Sequence, residues 1–143
     1  MSKFIRVTPN LAVAPQLSAE DFAAAAAAGF RTIINNRPDG EAPGQISSTA
    51  ARVAAEAEGL AYVNLPFAGP PTPELITAMA AALAGADRPV LAYCRSGTRS
   101  ISLWALAAVR SGALGPDDAL AAARTAGYDL TGLAPRLAQA ARG

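Results

Sequence analysis

The sequence predicts an α/β fold, a central and mainly parallel sheet covered by helices on both faces. Short apolar runs such as Thr32-Ile33-Ile34 and Val90–Tyr93 are too short for helices and suit buried strands. Ala-rich stretches with helix-start and helix-stop signals lie between them. Strand-like and helix-like segments therefore alternate, and connecting parallel strands requires such crossovers.

Ile5 to Ala14 reads as one or two short strands around Asn10, closed by Pro15 and suited to a sheet edge. Ser18-Ala19-Glu20-Asp21 is a capping box opening a helix that ends at Gly29. Phe30 to Asn35 is the next strand, and Asn35-Asn36-Arg37-Pro38-Asp39-Gly40 supplies turn chemistry at its end. The loop continues to Gln45, and Ser47 to Glu58 forms a second helix stopped by Gly59. A third strand covers Ala61 to Leu65, and the Pro/Gly loop from Phe67 to Pro71 follows.

Thr72-Pro73-Glu74 combines an N-cap, a first-turn proline and an acid, so Pro73 to Ala84 should be helical. Val90 to Tyr93 is then the strand that delivers Cys94. Ile101, Trp104, Ala105 and Ala108 recur at helical spacing, as do Leu103, Leu106 and Ala107, so the helix after the cysteine is buried on most sides and Trp104 is core. Gly115-Pro116-Asp117-Asp118 opens a further helix ending near Gly127, its acids facing the helix dipole, and Leu133 to Ala141 forms a short last one.

The 143 residues fit one domain, residues 1–143. A formal net charge of +1, with no long run of either sign, argues against a nucleic-acid groove or a polybasic membrane surface. No apolar stretch resembles a signal peptide or a transmembrane span, so a cytoplasmic location is expected. One cysteine forms no internal disulfide, and histidine is absent altogether. A Ser-His-Asp or Cys-His pair and a His-containing zinc site are thereby excluded, and no metal or cofactor is expected.

The chemistry concentrates in Cys94-Arg95-Ser96-Gly97-Thr98-Arg99-Ser100. A strand ending in cysteine and turning directly into a helix aims backbone N–H groups and the helix dipole at the sulfur, which favours the thiolate and makes an anion pocket. Cys94 is the candidate nucleophile and Arg99 the candidate ligand of the substrate anion. Arg95, Ser96, Gly97, Thr98 and Ser100 complete the anion-binding loop. Sites in parallel sheets form at the carboxyl ends of the strands, which brings Arg37, Asp39, Gln45 and Phe67 toward Cys94. Asn36, Arg37 and Asp39 are candidate supporting residues, with a turn closed by a salt bridge as the competing reading.

Ala14-Pro15-Gln16-Leu17, Gly29-Phe30, Ile34-Asn35-Asn36-Arg37-Pro38-Asp39-Gly40-Glu41 and Leu91 to Ser100 with Leu103-Trp104 resemble the beta-lactamase hydrolase-like protein family, also called DUF442. These small bacterial domains carry both phosphatase and sulfurtransferase names. The resemblance implies a fold like that of dual-specificity, cysteine-based phosphatases. It also implies fusion to, or partnership with, a metallo-beta-lactamase-like hydrolase such as a persulfide dioxygenase.

Cysteine-based phosphatases place five residues between cysteine and arginine, whereas four separate Cys94 from Arg99, as in the shorter rhodanese loop. Leu65 to Pro71 contains no acid to protonate a leaving group, and Asp39 is the nearest substitute. The expectation is a rhodanese-like sulfurtransferase forming a Cys94 persulfide from a small anionic donor, thiosulfate or a low-molecular-weight persulfide, and passing sulfur to an external thiol. The alternative is a protein tyrosine or dual-specificity-type phosphatase working through a Cys94 thiophosphate.

Overall fold

The computed structural model describes residues 3–143. Five strands, β1 (Ile5–Thr8), β2 (Leu11–Ala14), β3 (Thr32–Asn35), β4 (Ala61–Asn64) and β5 (Val90–Tyr93), form one sheet in the order β1-β2-β5-β3-β4. β1 pairs antiparallel with β2 at the edge, and every other pairing is parallel. The expected mainly parallel sheet is present, with the strand that precedes the cysteine at its centre.

The helices are α1 (Ala19–Ala27), α2 (Ser48–Ala57), α3 (Pro73–Gly85), α4 (Thr98–Arg110), α5 (Pro116–Thr125) and α6 (Ala134–Ala141). Their starts follow the sequence signals. The Ser47 and Thr72 side chains accept from the N–H groups of Ala50 and Leu75, each worth about 1 kcal/mol. At α1 the Asp21 carboxylate accepts from both the backbone N–H and the hydroxyl of Ser18.

Helices α2 and α3 depart from expectation by a residue at an end, and other boundaries differ for reasons the contacts show. The strand expected from Phe30 begins at Thr32, because the Phe30 N–H is spent on the carbonyl of Ala25 to close α1. β4 stops at Asn64, one residue short of the expected Leu65. Leu133 belongs to a 3-10 turn over Thr131–Leu133, and α6 starts only at Ala134.

The period of two along each strand divides the core. Val90 and Ala92 join Leu11, Val13 and Ile34 on the face carrying α3 to α6, while Leu91 and Tyr93 join Ala12, Ala14, Ile33 and Phe22 on the face carrying α1 and α2. Burying each large apolar side chain contributes roughly 1.5–3 kcal/mol. From Leu103 to Val109 every residue of α4 is buried, as the nearly all-round apolar pattern predicts. Ala14, Tyr93, Asn35 and Asn64 stand level in the register, so the loops that follow them leave the sheet at one end.

Candidate active site

Cys94 leaves the central strand at that end and is itself buried, at 1% exposure. Three residues on, Gly97 turns with φ of 94° and caps α4. This positive φ brings the Gly97 N–H to 3.1 Å from Cys94 Sγ. The first turn of α4 follows at once, so the amino end of a 13-residue helix points toward the sulfur. Thr98 and Ser96 are exposed at the rim and bonded through their hydroxyls at 3.0 Å, and Arg95 faces solvent. Ser100 is fully buried, and its hydroxyl has no hydrogen-bond partner.

Arg99 is clamped. Its two terminal nitrogens donate to both oxygens of Glu41 at 2.9 and 2.8 Å, and Nη1 also donates to the carbonyl of Phe67 at 3.0 Å. Among the described residues the Nε–H and the remaining Nη2–H have no partner, which leaves one side of the guanidinium as a two-donor fork for an anion. Hydrogen bonding to Glu41 raises the Arg99 pKa, with Cys94 adding a smaller contribution. Glu41 in turn is held down to about 2 by Arg99 first and Arg37 second.

Glu41 is the hub that sequence reading missed as a site residue. Arg37 is buried and donates to Glu41 Oε1 at 2.9 Å and to Gln16 Oε1 at 3.0 Å. The Arg37 salt bridge considered for the turn therefore exists, and its carboxylate is the same one that orients Arg99. Asn36 secures the floor: its N–H donates to the carbonyl of Tyr93, its side-chain amide to the carbonyl of Leu65, and its own carbonyl accepts from Phe67. Its Oδ1 is buried and unpartnered.

Asp39 lies on the same loop but is exposed, and its Oδ1 accepts from the Ser48 N–H at 2.8 Å. This bond gives Asp39 a place at the start of α2. Gln45 likewise serves its own loop, donating to the carbonyl of Pro38.

A further residue arrives from the far side of α5. The Tyr128 hydroxyl donates to the carbonyl of Ser96 at 3.0 Å, and a Cβ on Gly97 would overlap that hydroxyl. Burial, and secondarily Cys94, pushes the Tyr128 phenol up. No local pattern announces this contact, which spans 32 residues of sequence. Among the described residues no group of three or more Cys, Asp or Glu could hold a metal ion, and no helix is long and apolar enough to cross a membrane.

Residues 3–113 match the family described as "Beta-lactamase hydrolase-like protein, phosphatase-like domain". A beta-lactamase hydrolase-like protein of Agrobacterium fabrum is 39% identical over 129 residues, which cover 90% of this chain and 30% of that protein. One from Xylella fastidiosa is 38% identical over the same shares. The chain thus spans about 30% of the length of these curated relatives.

Among solved structures, a candidate phosphatase of Neisseria meningitidis superposes with a TM-score of 0.85 at 29% identity, covering 98% of this chain and 99% of that one. The active form of Tk-PTP superposes with a TM-score of 0.71 at 17% identity, covering 97% and 95%. The fold is that of the cysteine-based phosphatases. These likenesses favour the phosphatase alternative over the sulfurtransferase expectation, which none of them supports.

Proposed function

The chain belongs to the beta-lactamase hydrolase-like family, in its phosphatase-like domain, and on that premise we propose that it is a cysteine-dependent transferase for small anions whose leaving groups depart without a proton. One observation carries this reading. The site has a nucleophile position and an anion fork, and among the described residues no carboxylic acid is placed to protonate a leaving group. Asp39 is exposed and accepts from the start of α2, Glu41 is an anion between two arginines, and the loop from Leu65 to Pro71 has no acid.

Within that chemistry the short loop favours sulfane-sulfur donors. The Cys94 thiolate attacks the outer sulfur of thiosulfate, the sulfur–sulfur bond breaks, and its electron pair leaves on sulfite, already a stable anion. Cys94 is left as a persulfide anion. An external thiol then takes the terminal sulfur, giving its own persulfide and restoring the thiolate. The Arg99 fork and the N–H groups around Gly97 hold the sulfonate.

A second reading has its own support, the phosphatase description of the family and the phosphatase neighbours. Here the Cys94 thiolate attacks phosphorus, the phosphorus–oxygen bond breaks and the leaving group departs as an anion, and water then attacks the thiophosphate, releasing phosphate and restoring the thiolate. Without an acid, this reaction is restricted to aryl phosphates and phosphoanhydrides, whose leaving groups are good ones. Intact mass after incubation with thiosulfate, run beside release of phosphate from an aryl phosphate, separates the two. Addition of one sulfur atom, absent in Cys94→Ser, supports sulfur transfer. Phosphate release without sulfur addition replaces it with the phosphatase, and neither reaction in the wild type removes both.

A further inference from the structure

A cavity of about 330 Å³ opens at the opposite end of the sheet from Cys94. It lies where β2 and β5 begin, between the last turns of α3 and α4 and the β1–β2 turn, and the chemistry above makes no use of it. Leu11, Leu83, Val90 and Trp104 give it an apolar wall. The volume is in the range of small-molecule sites.

Of its polar side chains, Thr8 accepts from the Asn10 N–H and Ser111 donates to the carbonyl of Ala108, and the remaining donors are unspent. Arg88 stands exposed at the edge, and its guanidinium has no hydrogen bond or ion pair among the described residues. The Asn10 side-chain amide is equally uncommitted, while the Asn10 backbone carbonyl holds the N–H of Val90. Trp104 is 5% exposed, and its indole N–H meets no acceptor among the described residues. No carboxylate lines the cavity.

We propose that this cavity binds a small amphipathic monocarboxylate, its hydrocarbon body against Trp104 and Leu83 and its head group on Arg88. Two features select the charge. A guanidinium pairs with a carboxylate through a planar fork, which gives the head group a fixed place. The carboxyl ends of α3 and α4 flank the site and carry partial negative charge, so a dianionic phosphate is disfavoured where a single charge neutralised by Arg88 is accepted.

Trp104 is the only tryptophan, so the protein reports on its own cavity. Octanoate titrated into the intact chain should change the indole fluorescence saturably, and octanol and octyl phosphate should bind more weakly. Arg88→Ala should weaken octanoate by about fivefold to tenfold, the size of one exposed charge-assisted contact. Ala84→Phe, which fills the mouth from an exposed position, should abolish the change with the far-ultraviolet circular dichroism unaltered. The proposal is overturned by the absence of a saturable change, by octanol or octyl phosphate binding as tightly as octanoate, or by Arg88→Ala or a folded Ala84→Phe binding it as wild type does. Alkylation of Cys94 is followed in every sample, so failure at this site is distinguished from failure at the other.

Discussion

Glu41 shows how a single carboxylate organises two arginines. Its folded pKa is about 2 against an ordinary value of 4.5. A lowered pKa means that the stabilisation from the Glu41 pairs is fully present above 4.5 and fades as pH falls toward 2. Denaturant midpoints of wild type and Glu41→Gln should therefore differ at neutral pH and converge across that interval. The same substitution removes one of the two acceptor oxygens that orient Arg99 and leaves its charge and its bond to the Phe67 carbonyl, so turnover of the anionic substrate should fall about tenfold through misplacement of the fork, about 1.4 kcal/mol. Steady-state kinetics of Glu41→Gln beside Arg99→Lys tests this, since lysine keeps the charge and loses the fork.

At the scale of elements, the turn from β5 into α4 depends on Gly97. Gly97→Ala must hold a side chain at φ of 94° and press against the Tyr128 hydroxyl, so a loss of about 1 kcal/mol or more is expected by chemical denaturation. In a Tyr128→Phe background the steric part of that loss should shrink, and a double-mutant cycle reads the difference. The β5–loop–α4 unit was legible in sequence because its signals are local: an apolar run, a glycine, then apolar spacing of a buried helix. That the loop of Asn36 and Arg37 leaves the sheet at the same end as the cysteine loop was legible because parallel strands deliver their following loops to one end, and Asn36 meets the Tyr93 carbonyl there. Glu41 and Tyr128 were not legible as partners of the cysteine loop, because pairing across 58 and 32 residues depends on packing that no spacing rule encodes. The Asp39 contact was equally illegible, because its loop lies at the end of the sheet expected for the site while its Oδ1 meets the N–H at the start of α2, nine residues on.

For the molecule as a whole, the family match ends at residue 113, yet α5, the 3-10 turn and α6 supply the outer cover of α4. Ala119, Ala123, Leu130 and Leu137 are all buried there. Leu137→Ala should cost about 2–5 kcal/mol in a denaturant titration, and a chain ending at Ala113 should lose the cooperative transition altogether. Tyr128 belongs to this same late segment while bonding to the carbonyl of Ser96. The order in which the chain is made then matters: on the ribosome the strand, the cysteine and its loop are finished before the tyrosine that braces them has been added. A nascent chain that ends between α4 and Tyr128, followed by a linker long enough to clear the ribosome, should therefore be modified by a thiol reagent faster than one that includes Tyr128, which places closure of the entrance after the cysteine loop in the order of synthesis.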